Sequence, residues 1–186
     1  MTTPIPTFTA VAISGSLRAA SANTGLVRMA ARVAPADLQV SIYDHITDLP
    51  YYNEDLEADP PASVLEWRAA VTAADALIVG MPEYNFGPAA LAKNAIDWLT
   101  RPPGQHTLTG KAIAVLTAGG KGGGSNVQGQ LGPILGWLGN TVIAEPAVQI
   151  AMGMTKISSD GTTTDPEVEQ LVTEKMANLV AALRDR

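Results

Sequence analysis

Short apolar runs alternating with longer stretches of helical period leave this chain few choices of fold. That rhythm is the βαβ repeat of a parallel sheet covered on both faces. FTAVAIS, residues 8–14, is apolar almost throughout and stops at Ser14-Gly15-Ser16, as a strand buried on both faces does. Further strands are predicted at Leu38–Tyr43, Ala76–Gly80, Ala112–Thr117 and Thr141–Ile143, the last resuming at Ala147–Ile150. A helix over 23–33 places Leu26, Met29, Ala30 and Val33 on one face and ends at Pro35. Helices over 61–73 (Val64, Trp67, Val71) and 89–99 (Leu91, Ala95, Trp98) follow the same pattern. One over 126–138 carries Gly129, Gly132, Pro133 and Gly136, each costly in a helix interior. From Val168 to Leu183 the apolar period runs unbroken, with capping chemistry at Thr164–Glu167. No repeat, linker or second core is visible, so a single domain spanning 1–186 is expected.

Composition narrows the chemistry. The chain has no cysteine, which removes disulfides, thiolate metal sites and any cycle through a protein thiol, so redox work must come from a cofactor. Twelve basic against 18 acidic residues give a net charge of -6, and no Lys/Arg run marks a nucleic-acid footprint. No window approaches the roughly 18–20 apolar residues of a membrane span, and MTTPIPTFTAVAISGS lacks a basic flank and a long apolar stretch. A cytoplasmic protein is expected. Its two histidines, His45 and His106, lie in separate loops, no GxSxG elbow is present, and no metal site is expected. Trp67, Trp98 and Trp137 and the six methionines read as packing.

In an open parallel sheet the ligand lies beyond the carboxyl ends of the strands, and the loops after strands one, three and four are the three most unusual segments here. The first, Gly15 to Thr24, sets hydroxyls, an amide and Arg18 just before a helix N-terminus, which suits a terminal phosphate. The same residues also read as helix caps at Ser21 and Asn23 beside a solvated Arg18. Neither GxxxxGK[ST] nor GxGxxG is present. The second, Pro82 to Pro88, offers the rim a planar heterocycle needs, or else packs Tyr84 and Phe86 under a tight turn. In the third, AGGKGGGSN, five of nine residues are glycine, so backbone amides can approach a ligand edge, and Lys121 adds a positive charge. Residues 44–60 form an acidic, irregular connection with Tyr51 and Tyr52, long enough to cover or bind something.

GSLRAASAN after the first strand, PEYN after the third, KNAIDWLTR in the next helix and the glycine-rich loop together resemble the NADPH-dependent FMN reductase family of flavodoxin-like proteins, in its quinone, chromate and azo-compound reductase branch. The resemblance runs from about Ala12 to the last helix. It implies a three-layer α/β sandwich with a five-stranded parallel sheet of order 2-1-3-4-5, bound FMN, and NADPH or NADH as co-substrate. Reducing equivalents would pass to a small acceptor such as a quinone, azo compound, chromate, ferric complex or free flavin. By the same resemblance Ser16, Arg18, Ser21 and Asn23 would hold the FMN phosphate, with Thr24 joining them. Pro82, Glu83, Tyr84 and Asn85 would line the ring and ribityl chain, and Ala118, Gly119, Gly120 and Lys121 the pyrimidine edge. No side chain acts as acid or base, because the flavin N5 carries the hydride. The alternative is an electron carrier or regulator that kept the fold without turnover.

Departures from the family pattern are local. Gly87 and an early Pro88 follow PEYN, and the family's arginines are replaced at Ser125-Asn126 and Leu131-Gly132. A homodimer is expected, with a tetramer the further possibility that those replacements bear on, and a weaker preference for NADPH over NADH is expected from the lost charge.

Overall fold

The computed structural model describes residues 8–186; the first residues of the N-terminal segment read above lie outside them. Strands β1 (Phe8–Ser14), β2 (Leu38–Ile42) and β3 (Ala76–Gly80) are followed by the short pair β4 (Glu83–Tyr84) and β5 (Gly87–Pro88), then by β6 (Ala112–Ala118), β7 (Thr141–Val142) and β8 (Gln149–Ile150). Helices are α1 (Ala22–Val33), α2 (Ala62–Thr72), α3 (Ala90–Leu99), α4 (Ser125–Gly136) and α5 (Pro166–Arg184). The main sheet is parallel in the order β2-β1-β3-β6-β7, with β8 also on β6. This is the predicted 2-1-3-4-5 topology with its fifth strand cut in two.

Alternation along the central strands decides which helices go where. Val11 and Ile13, Leu77 and Val79, and Ile113 and Val115 face a core shared with Trp67 of α2 and Ile96 and Trp98 of α3. Ala10, Ala12, Ala76, Ile78, Ala112 and Ala114 face the other side, where Leu26 and Met29 of α1 meet Met176 and Leu179 of α5. The many alanines on that face let α1 and α5 approach the sheet closely. At Gly80 the approach is closest: a Cβ there would lie 2.7 Å from the Asn23 carbonyl oxygen. Only glycine lets the start of α1 sit against the end of β3.

The break in the fifth strand has a local cause. β7 pairs with Ala112–Ile113 and β8 with Thr117–Ala118, and the intervening chain leaves the sheet edge. Pro146 in that stretch has no N–H to offer a ladder. The freed carbonyls are gathered by Lys175 of α5, which is only 1% exposed and donates to the oxygens of Ile143 (2.5 Å), Ala144 (2.9 Å) and Pro146 (3.0 Å).

One sequence expectation needs correction and two gain detail. PEYN does not merely break the chain: it opens a β-hairpin whose tip residues Asn85 (φ 52°) and Phe86 (φ 64°) are both left-handed, the geometry of a type I′ turn. Trp137 is not core; it follows the end of α4, is 66% exposed and meets His106 edge-on at 5.8 Å. The α5 cap is Asp165, whose carboxylate accepts from Glu167 N–H with Pro166 opening the helix, so the capping pair lies inside the predicted Thr164–Glu167 span. Among the described residues no helix is long and apolar enough to cross a membrane.

Candidate functional site

In the sheet register Ser14, Gly80 and Leu116 lie side by side, so the loops after β1, β3 and β6 leave the sheet at one level. They enclose a cavity of about 160 Å³ lined by Ser16, Arg18, Ser21, Ala22, Asn23, Pro82, Glu83, Tyr84, Ala118, Gly119, Gly120 and Met154. Ten of the thirteen predicted residues therefore meet in one place. A larger depression of about 630 Å³ along α5 is open to solvent, shares no residue with these loops and carries Glu169 and Glu174, which would repel a phosphate.

One part of the cavity wall follows from the chemistry of a helix start. Ser21 caps α1, its Oγ accepting from Thr24 N–H at 3.2 Å, and the leading N–H groups of the helix have no intrahelical acceptor. Arg18 is exposed, and its guanidinium donates to two uncharged acceptors, Met154 Sδ at 2.7 Å and the Ala20 carbonyl at 3.3 Å. Among the described residues no carboxylate neutralises its charge.

Several predicted ligands turn out to be occupied. Asn23 is buried and spends both ends of its amide on Ala118, Nδ2 donating to the carbonyl at 2.8 Å and Oδ1 accepting the N–H at 3.0 Å. It ties α1 to the end of β6, and its backbone N–H is what remains for a ligand. The Thr24 hydroxyl bonds Ser14 Oγ at 2.7 Å and faces an adjacent hollow on the β2 side, not this cavity. Glu83 lines the cavity, but its carboxylate accepts from Asn126 N–H (3.1 Å), Val127 N–H (3.3 Å) and Asn126 Nδ2 (3.0 Å). It caps α4 and holds the β4–β5 hairpin to that helix, assisted by Gln130 Nε2 donating to the Phe86 carbonyl. Asn85 sits exposed at the hairpin tip and Lys121 exposed on the glycine loop, both outside the cavity wall.

Sequence reading missed Ala22 and Met154. Ala22 gives no signal beyond its place at the start of α1. Met154 was assigned to packing, yet it is 65% exposed and borders the cavity. Residues 44–60 are also not a loose cover. Asn94 accepts from Tyr52 N–H (2.7 Å) and donates to the Pro50 carbonyl (3.0 Å), which Trp98 Nε1 also reaches (2.9 Å). Arg101 Nε completes the strap on Tyr52 Oη and Glu57, each at 3.0 Å. The Tyr52 hydroxyl, and after it Arg101, hold the Glu57 carboxyl below its ordinary value. The KNAIDWLTR segment is thus a fastening for the β2–α2 connection.

A doubly wound sheet whose cavity is lined by a helix N-terminus, a guanidinium with only uncharged partners, a tyrosine and glycine backbone has the make-up of a mononucleotide-binding α/β protein. The chain matches the NADPH-dependent FMN reductase family over residues 8–155 and belongs to it. It is 38% identical over 180 residues to a probable NADPH:quinone oxidoreductase 2 of Oryza sativa subsp. japonica, covering 93% of this chain and 88% of the relative. An NAD(P)H-dependent FMN reductase of Pseudomonas aeruginosa is 36% identical, with 90% of each chain covered. In structure it is similar to FerB, a flavoenzyme NAD(P)H:(acceptor) oxidoreductase of Paracoccus denitrificans, with a TM-score of 0.83, 33% identity and coverage of 96% and 98%. The chain is therefore an α/β protein of flavodoxin-like fold and a flavin-dependent NAD(P)H oxidoreductase, with FMN as cofactor and NAD(P)H as reductant.

Proposed function

We propose that this single domain binds FMN in the cavity beyond β1, β3 and β6 and passes electrons from NAD(P)H to a quinone. The observation that carries the site is the convergence of three distant loops on one cavity whose lining includes both the start of α1 and an arginine with only uncharged partners. The residues fit the cofactor in their donor set: Ser16, Arg18, Ser21 and the first N–H groups of α1 take the phosphate. Pro82 and Tyr84 border the ring and ribityl chain, while the backbone of Ala118, Gly119 and Gly120 meets the pyrimidine edge. Asn23, Thr24 and Glu83 act one step back, fixing the loops that present those groups. Asn85 and Lys121 stand at the rim, where Lys121 offsets negative charge. When bound, FMN supplies the hydride-accepting N5 and the two-electron exchange; the protein positions it and shapes access.

The quinone assignment rests on the relatives, several of which carry quinone reductase or quinone oxidoreductase names. Protein reconstituted with FMN and desalted should keep its visible flavin bands, bleach with NADPH under anaerobic conditions and recover them on adding benzoquinone. Retained flavin that ignores NADPH would favour a carrier or regulator. Loss of all flavin on desalting would mean the cavity takes another phosphorylated ligand.

The working assembly we propose is a cytoplasmic homodimer. Leu17 (72% exposed) and Tyr51 (82% exposed) stand out beside Leu49 and Leu91 around a hollow of about 290 Å³, adjoining the phosphate loop. Tyr51 is held there because both neighbours are fastened to Asn94. Apolar side chains fixed in water are what a second copy would cover. A tetramer is the less favoured assembly, because Asn126 and Gly132 stand at the family's arginine positions and the Asn126 amide is engaged with Glu83. Sedimentation velocity should give a dimer for the wild type and a monomer for Leu17→Glu/Tyr51→Glu; a dimer in both would place the interface elsewhere.

A further inference from the structure

Met154 is out of place for a packing residue. It is largely exposed, yet the backbone before it is held in an unfavourable shape to put it where it is. Met152 is left-handed (φ 53°) with its own side chain half in water, a conformation that costs a non-glycine residue energy unless its surroundings impose it. What imposes it is a backbone zipper onto the glycine loop. Met152 N–H donates to the Gly120 carbonyl at 2.9 Å and Gly153 N–H to the Gly119 carbonyl at 3.0 Å. Gly153 meets Ala118 so closely that a Cβ there would lie 2.7 Å from the Ala118 Cβ. Thr155 N–H and Oγ1 then both return to the Met152 carbonyl, at 3.0 and 2.9 Å, closing a tight turn around Met154.

The product of this geometry is a thioether at the cavity wall, with Met154 Sδ 2.7 Å from Arg18 Nη1. The other guanidinium nitrogen, Nη2, reaches only the carbonyl of Ala20 in its own loop. A long arginine on a surface loop loses much rotamer freedom when it is held over a ligand, and part of that loss is met in advance if a fixed group already holds it. A thioether suits the task because it is a weak acceptor: it orients the guanidinium without competing with a phosphate dianion for its charge.

We infer that Met154 is a positioning residue for FMN binding, holding the Arg18 guanidinium over the cavity so that it meets the cofactor phosphate. This rests on the proposed assignment of Arg18 to the phosphate. Failure of the one is told from failure of the other when FMN and riboflavin, which lacks the phosphate, are titrated into the apoproteins of the Arg18 and Met154 variants by flavin fluorescence.

Met154→Leu keeps the volume and removes the acceptor. It should weaken FMN by about three- to tenfold, the range of one modest hydrogen bond. Riboflavin affinity should stay within about twofold. On an Arg18→Ala background Met154→Leu should have no further effect, which is the signature of a residue that acts only through Arg18. Met154→Gln, which restores an acceptor at similar reach, should recover most of the FMN affinity.

Equal weakening of FMN and riboflavin by Met154→Leu would overturn the inference, because the side chain would then be packing on the ring. So would unchanged affinity for both, or an undiminished effect on the Arg18→Ala background. If Arg18→Ala itself leaves FMN binding untouched, the phosphate assignment fails first and this inference with it.

Discussion

Lys175→Met is expected to lower the stability of the folded protein by about 2–3 kcal/mol, seen as a fall in Tm of about 5–10 °C. Two effects oppose each other. Methionine relieves the cost of keeping an ammonium out of water, but it strips the donor from the carbonyls of Ile143, Ala144 and Pro146 together. Three acceptors lost at once outweigh one charge relieved, since these carbonyls lie where the fifth strand has left the sheet and no neighbouring strand can supply N–H groups.

The pH dependence of the same variant tests the cause. Burial pushes Lys175 down to about 8, opposed by the charge of Glu145. The folded state thus releases this proton earlier than the unfolded chain, whose lysine titrates near its ordinary value of about 10.4. Between those two values the unfolded state binds more protons, so the contribution of this group to stability rises with pH across that window and is flat below it. Urea unfolding at pH 7 and pH 9.5 should show wild type gaining on Lys175→Met at the higher pH. A constant difference between the two proteins would mean that Lys175 stays charged in the folded state through pH 9.5 and that burial does not push it down.

Arg18→Ala is the second large effect: FMN affinity should fall by about 1–3 kcal/mol, through loss of a charge-assisted contact. The upper part of that range is favoured because the guanidinium has only neutral partners in the protein, so no ion pair must be broken before it meets a phosphate. Stability should hardly change, since Arg18 is exposed and its two hydrogen bonds, to Met154 and the Ala20 carbonyl, lie at the surface. The loss should shrink as salt is added, and riboflavin binding should be spared. Unchanged FMN affinity would remove Arg18 from the phosphate site and leave the α1 N-terminus to hold it alone.

The sheet and the location of the site were readable in the sequence because both depend on local pattern. A strand buried on two faces must be apolar along its length, and glycine, proline and hydroxyl residues must gather where such strands end. Other assignments failed for nearby reasons. Trp137 carries the helical spacing of a core residue, but α4 ends at Gly136, and between the buried Leu135 and Leu138 the Trp137 side chain falls on the side that faces water. Lys175 lies at the buried spacing of Val168, Val172 and Leu179, and a lysine at such a position was a signal that could have been noticed. The KNAIDWLTR motif was rightly singled out, yet its spacing says nothing about the Pro50 carbonyl that Asn94 and Trp98 reach.

What the sequence determined by itself is therefore the order of strands and helices, the faces they bury, and the three loops that meet beyond the sheet. Each follows from interactions within a turn or a strand's length. Only the tertiary structure decided which polar groups in those loops are free to bind and which are already spent. Asn23 is taken by Ala118, Glu83 by Asn126 and Val127, and Thr24 by Ser14, while Arg18 is left to Met154. Most of these partners are separated by long stretches of chain and brought together by the packing of helices on the sheet. Whether a donor or acceptor is available depends on that geometry, and residue type and spacing along the chain do not encode it.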